Sequence, residues 1–223
     1  MTNYIEQRLN MVESQVRPSD VTDRRIVRAM GAVAREHYVP VSRRSTAYLD
    51  EAIAFGPDAH AGGTRSLLPP RTFAKLAQLG EIGDNAAVLV IGSGMGYSLA
   101  VLARMARRVV GVEQDDGLAS HARAALSHDG IGNAEIIVGP CERGHAAGGP
   151  YDAILVEGAI DGPPHALLDQ LKDGGRLVAI LASAHAGKAV VWLRSGKTFA
   201  MRDVFDAAAP PLPGFQRTAQ FTL

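Results

Sequence analysis

Apolar residues change their spacing along this chain, and each change marks a change of element. Ile5, Leu9, Val12 and Val16 recur at helical intervals, and the pattern stops at Arg17-Pro18. A second helix is expected from Thr22 to about Val33. Thr22 is its expected N-cap, Asp23 places a negative charge at the positive end of the helix dipole, and Ile26, Val27 and Met30 face the core. Between Phe55 and Pro70 the periodicity is lost: Gly56, Pro57, Gly62, Gly63 and Pro69 interrupt any regular element, which predicts a long loop of the kind that often carries function. Pro70 then opens a helix that runs to about Leu79.

From Ala87 the pattern is different. Ala87–Ile91, Val109–Val112, Glu135–Val138, Tyr151–Val156 and Arg176–Leu181 are short, nearly continuous apolar runs, as expected for strands covered on both faces. Helical stretches fall between them at Tyr97–Ala106, Asp116–His128 and His165–Leu171. Such alternation implies right-handed crossovers and a parallel sheet. After it, Ala189–Leu193, the Gly196-Lys197 turn and Phe199–Phe205 read as a hairpin, and Thr218–Leu223 alternates as an edge strand would. The expected fold is α/β and Rossmann-like, with a mostly parallel central sheet flanked by helices, an N-terminal helical extension and a C-terminal β-hairpin. Residues 1–223 are read as a single domain, with the extension over 1–79 and the Rossmann-like core over 80–223.

Composition narrows the function classes. Apolar residues make up 47% of the chain, enough for a core, so disorder is not the expectation. Lys plus Arg equals Asp plus Glu at 23 each, which leaves no general pull toward nucleic acid or anionic membrane. Cys141 is the single cysteine and cannot form an intramolecular disulfide. The N-terminus carries charges early, and no stretch approaches the roughly 20 apolar residues that span a bilayer. A soluble, cytoplasmic protein is expected. The histidines show no metal-ligand spacing, so no metal site is expected.

The chemistry concentrates in Val90-Ile91-Gly92-Ser93-Gly94-Met95-Gly96-Tyr97, between a predicted strand and a predicted helix. Glycines there allow a tight turn and let a ligand approach the backbone. Glu113 ends the next strand, where a carboxylate accepts hydrogen bonds from the ribose hydroxyls of an adenosine ligand. A dinucleotide site favours Gly-x-Gly-x-x-Gly. Here the pattern is Gly-x-Gly-x-Gly with Tyr97 in the last glycine position, which fits S-adenosylmethionine better than NAD.

Several segments together resemble the protein-L-isoaspartate O-methyltransferase family of class I S-adenosylmethionine-dependent methyltransferases. They are Met11–Arg17, Arg35–Pro40, Ala47–Asp50 ahead of Gly56, Val88–Ala103, Tyr151–Ile154, and Gln170-Leu171 with Gly174–Val178. The resemblance implies methylation of the carboxylate of isoaspartyl residues in protein or peptide substrates. The implied cofactor-binding residues are Gly92, Ser93, Gly94, Gly96, Tyr97, Glu113, Cys141 and Glu142.

The chain also departs from the family's pattern. The family has a serine before its first core helix, and aligned on Pro70 that position is Leu68, which has no side-chain hydrogen-bonding group. Ser66 and Thr64 are the expected substitutes. The family's acid in the glycine turn is Val90 here, and its acid near the adenine is Pro140, with Glu142 two positions on. Glu157 adds a carboxylate where small or hydroxyl residues are usual. Two other readings stay open on these residues: a family member that binds the cofactor or a partner without catalysis, and a methyltransferase for a different substrate.

Overall fold

The structure is a computed structural model and describes residues 3–56, 65–183 and 187–215. Helix α1 (Tyr4–Met11) begins at Asn3, whose side chain accepts the Glu6 N–H. It continues into a π turn (Val12–Val16) and a 3-10 turn containing Pro18. Only the end of its apolar stripe is covered: Val12 and Val16 are buried, whereas Ile5 and Leu9 are exposed. Helix α2 (Arg24–Ala32) buries Ile26, Val27 and Met30 as expected, but its N-cap is Asp23, which accepts the Arg25 N–H. Thr22 and Asp23 instead donate their N–H groups to Gln78 Oε1, which ties this entry to α3 (Pro70–Leu79).

The ends of the predicted loop are paired. β1 (Ile53–Ala54) and β2 (Ser66–Leu67) form a short antiparallel ladder, extended by Phe55 N–H donating to the Arg65 carbonyl. The edge strand expected at Thr218–Leu223 lies outside the described residues.

The core comprises β3 (Ala87–Ile91), α4 (Tyr97–Leu102), β4 (Arg108–Glu113), α5 (Asp116–His128), β5 (Ala134–Val138), β6 (Tyr151–Ile160), α6 (His165–Leu168), β7 (Leu171–Leu181), β8 (Lys188–Ser195) and β9 (Thr198–Asp206). Its sheet runs β5-β4-β3-β6-β7-β8-β9. The strands from β5 to β7 are parallel, and β8 and β9 close the edge as an antiparallel hairpin. Helix α6 is shorter than the apolar pattern suggested, because Leu171 already pairs with Tyr151 in the sheet. Strand β6 is longer than expected and shifts register against β7 between Leu155 and Ala159.

Strand alternation divides the core. Val88, Val90, Ala153 and Leu155 face a cluster containing Met30, Phe73, Leu99 and Ala122, so the N-terminal helices and α4–α5 share one core with the sheet. Leu89, Ile91, Ile154 and Val156 face Leu167, Leu168 and Tyr151 on the other side. After β3 the chain moves outward through β4 and β5, then returns to place β6 on the other flank of β3. Such a reversal is the switch point at which open α/β sheets take ligands, in the crevice outside the carboxyl ends of the strands, here those of β3 and β6. No described helix is long and apolar enough to cross a membrane.

Candidate cofactor and active site

The glycine turn forms the crevice floor. Gly92, Gly94 and Gly96 all have positive φ, at 74°, 53° and 92°. A Cβ on Gly94 would lie 2.4 Å from the Phe55 ring, and one on Gly96 would lie 3.0 Å from Ala122 Cβ, so the first glycine lets Phe55 pack directly on the turn and the second lets α4 close on α5. Glu113, the last residue of β4, is fully buried beside this turn. Its carboxylate accepts the Gly94 N–H at 2.8 Å and the Asp115 N–H at 3.1 Å.

Arg65, just before β2, also reaches Glu113. Its two terminal nitrogens donate to the two Glu113 carboxylate oxygens at 2.8 Å each, and Nη2 also donates to the Gly92 carbonyl at 2.8 Å. This is the bidentate geometry in which a guanidinium binds a carboxylate most strongly. Phe55 and Arg65 stand opposite each other at the end of the β1–β2 ladder. One covers Gly94 and the other grips Glu113, so the hairpin closes over the residues expected to hold adenosine.

The C-terminal segment forms another wall. After β9 the chain returns across β6: Ala159 N–H donates to the Pro210 carbonyl and Leu212 N–H to the Ala159 carbonyl. Leu212 is buried, and its Cδ1 lies 2.7 Å from where a Cβ on Gly92 would be. Sequence reading missed Phe55 and Leu212 as site residues. Both are ordinary apolar residues placed by contacts distant in sequence.

The family profile for protein-L-isoaspartate (D-aspartate) O-methyltransferase matches residues 6–205. The chain belongs to that family. A protein-L-isoaspartate O-methyltransferase of Herpetosiphon aurantiacus is 34% identical over 209 residues, covering 94% of this chain and 91% of that one. One of Methanoculleus marisnigri is 36% identical over 173 residues, covering 78% and 76%. Among solved structures, a protein-L-isoaspartate O-methyltransferase superposes with a TM-score of 0.80 at 22% identity, covering 94% of this chain and 66% of that one. A Plasmodium falciparum protein described as a beta-aspartate methyltransferase, in complex with S-adenosyl-L-homocysteine, superposes with a TM-score of 0.77 at 18% identity, covering 92% and 97%. At these identities the structural likeness concerns the fold.

Against the isoaspartyl methyltransferase pattern, the other expected site residues are distributed as follows. Leu68 is buried, and its carbonyl accepts a hydrogen bond from Arg35 Nη2 at 2.7 Å. Ser66 lies on β2 with its Oγ buried and without a hydrogen-bond partner among the described residues, as is Ser93 Oγ in the turn. Thr64 lies outside the described residues. Tyr97 starts α4, but its ring points into the core between Tyr38, Phe73 and the Arg35 guanidinium, which stands 4.7 Å from the ring centroid. Cys141 is fully buried beside the Val112 carbonyl, and burial pushes its thiol up to about 11. The Glu142 side chain abuts Gly214 of the returning C-terminal segment. Val90 is core, and Pro140 precedes the 3-10 turn Cys141–Arg143.

Glu157, near the end of β6, is buried and accepts a hydrogen bond from Ser98 Oγ at 2.9 Å. Burial raises its carboxyl to about 8, against the opposing pull of Ser98, Arg65 and Arg35. Away from the crevice, His37 Nδ1 and His128 Nδ1 lie 2.8 and 3.0 Å from Asp129 Oδ1, close enough together for metal ligation. The spacing of histidines along the sequence gave no sign of this group, because His37 is on a different element from His128 and Asp129.

Proposed function

We propose that this chain transfers the methyl group of S-adenosylmethionine to the free carboxylate of isoaspartyl residues in proteins or peptides. The observation that carries the reading is the glycine cradle with Glu113 beside it at the switch point, in a chain whose match to the family runs through both. The residues suit an adenosine ligand: Gly92 and Gly94 put no side chain between the turn backbone and a ligand that takes the place of Phe55 and Leu212, and the two oxygens of Glu113 suit a pair of ribose hydroxyls. Cys141 and Glu142, after β5, would border the adenine. When bound, the cofactor supplies an electrophilic methyl group on a sulfonium. A cytoplasmic setting is part of this reading and rests on the sequence alone.

The protein's own task is then alignment. A carboxylate nucleophile is already ionised at neutral pH, so little acid–base help is needed, and positioning with exclusion of water supplies the rate. Phe55 and Leu212 are the apolar residues that keep water from the crevice. Ser66, whose Oγ has no partner among the described residues, is the hydroxyl available to orient the substrate carboxylate in place of the one absent at Leu68. Thr64 is the second candidate.

One observation favours a second reading, a member that no longer uses the cofactor: Arg65 occupies both oxygens of Glu113. Two measurements separate the readings. Calorimetric titration with S-adenosylhomocysteine should show binding that Glu113→Ala weakens. Methyl transfer should proceed to an isoaspartyl peptide and not to its aspartyl isomer. A folded protein that binds no S-adenosylhomocysteine at millimolar concentration would sustain the second reading.

A further inference from the structure

We propose that Glu157 is the carboxylate that receives the ammonium of the cofactor's amino-acid end, across the glycine turn from Glu113. This rests on the cofactor reading above and adds to it a residue and a direction of binding. The argument begins with sheet order. β3 and its glycine turn lie between β4, which ends in Glu113, and β6, which carries Glu157. A ligand lying across the turn with its ribose at Glu113 therefore has its other end directed toward β6. S-adenosylmethionine carries its positive charges, the sulfonium and the ammonium, on the side of the ribose away from adenine.

Glu157 is placed to meet such a charge. Ile91 pairs with Val156, so Glu157 stands beside Gly92, and its carbonyl oxygen lies 3.4 Å from where a Cβ on Gly92 would be. Alternation along β6 puts its side chain on the face of Ala153 and Leu155, the face that Val90 also occupies. Ser98, fully buried at the start of α4, donates the one hydrogen bond that the Glu157 carboxylate receives among the described residues.

The charged groups nearest Glu157 make no hydrogen bond to it among the described residues, and of these only the Arg35 Nη1 is buried without a partner. Arg35, from the 3-10 turn Arg35–Tyr38, donates to the carbonyls of Ala47 and Leu68 at 2.7 Å each. Arg65, at β2, is held by Glu113 and the Gly92 carbonyl. Glu113 itself, on β4, adds a like charge. A buried carboxylate that no cation contacts is costly, and a group in that position takes up a proton instead. That agrees with its elevation to about 8. An arriving ammonium reverses the balance: the carboxylate ionises, the proton leaves to solvent, and an ion pair forms in a site shielded from water.

The test compares two ligands that share adenosine and a thioether but differ at the other end: S-adenosylhomocysteine, with its amino-acid group, and 5′-methylthioadenosine, without it. Both carry the ribose and compete with Arg65 alike, so their affinity ratio isolates the amino-acid end. Calorimetry on the full chain should show Glu157→Gln weakening S-adenosylhomocysteine by roughly ten- to hundredfold, the range for a hydrogen bond to a charged group, with 5′-methylthioadenosine unchanged. In the unsubstituted protein, S-adenosylhomocysteine affinity should rise from pH 6 toward about pH 8, with proton release visible in buffers of different ionisation enthalpy. Glu157→Gln should abolish that release. Because Gln imitates the protonated side chain, the variant should fold, and its unfolding midpoint at pH 6 checks this. An equal loss for both ligands, or no loss for either, overturns the proposal while the cofactor reading stands. Failure of the unsubstituted protein to bind either ligand overturns the cofactor reading and this proposal with it.

Discussion

The two strand ends that flank the glycine turn each carry a buried glutamate, and the fold treats them in opposite ways. Glu113, ending β4, accepts hydrogen bonds from the Gly94 and Asp115 backbone and from both ends of the Arg65 guanidinium. Glu157, near the end of β6, has the Ser98 hydroxyl. The side chains are chemically identical and similarly buried, so neighbours decide what each can do. Glu113 is a satisfied anion whose partner must be exchanged before a ribose can use it. Glu157 is held toward its neutral form by burial and is short of a cation.

The sharpest way to break this contrast is to remove the satisfied member. Glu113→Ala leaves the Arg65 charge and two backbone N–H groups without their acceptor. It should lower unfolding free energy by about 3 kcal/mol, near the lower end for breaking a buried ion pair because Arg65 lies at a hairpin end and can turn toward water. Urea denaturation measures this. The same variant should weaken S-adenosylhomocysteine by about a hundredfold, since both ribose hydroxyls lose their acceptor. A small stability change would mean that the Arg65–Glu113 pair is weak in solution.

Arg65→Ala acts on the other partner, and its two effects should have opposite signs. The unliganded protein loses three hydrogen bonds of the guanidinium and should become less stable. The ribose no longer has to displace them, so S-adenosylhomocysteine should bind more tightly, by roughly tenfold, one charge-assisted hydrogen bond net of resolvation. Paired calorimetry and denaturation decide it. Weaker binding in Arg65→Ala would instead make Arg65 part of the bound state.

The Glu157 side of the contrast is read with pH. Its carboxyl is raised from 4.5 to about 8 on folding, so between those values the folded chain holds a proton that the unfolded chain releases. Stability from this group is therefore fully present below pH 4.5 and declines as pH rises toward 8. Thermal midpoints of the unliganded protein should show this decline, and Glu157→Gln should flatten it, making the variant the more stable form at pH 9. Parallel profiles for the two proteins would place the Glu157 carboxyl in solvent.

What the sequence disclosed follows the same division. The β3 turn, Glu113 and the strand–helix alternation are local patterns, in which each residue's place follows from neighbours a few positions away. They appear in the expected order, with β6 and β7 longer and α4 and α6 shorter than the apolar pattern suggests. The exchange at Glu113 depends on Arg65, 48 positions away, and on a short ladder whose second strand lies within the stretch that reads as loop. Nothing in the order of Gly, Pro and polar residues there specifies that Phe55 and Arg65 face each other across a ladder. The wall at Leu212 is equally hidden, because it depends on the chain returning over β6 after the hairpin. Helix ends followed competing contacts: Gln78 takes the N–H groups of Thr22 and Asp23 and Asp23 becomes the cap, while pairing of Leu171 in β7 cuts α6 short.

The smallest effect on stability should come from the substitution that bears most directly on turnover. Ser98 and Ser66 are both hydroxyls near the crevice, but Ser98 is spent on Glu157 and Ser66 Oγ is buried with no partner among the described residues. Removing an unpartnered buried hydroxyl loses no hydrogen bond and relieves a desolvation cost, so Ser66→Ala should leave stability within about 0.5 kcal/mol or raise it slightly. If that hydroxyl orients the substrate carboxylate, methyl transfer to an isoaspartyl peptide should fall by about tenfold or more while S-adenosylhomocysteine affinity holds. Ser98→Ala should do the reverse, changing the pH profile of the unliganded protein through Glu157. If Ser66→Ala keeps full turnover, the orienting group is Thr64 or backbone, and the same assay on Thr64→Ala distinguishes those two.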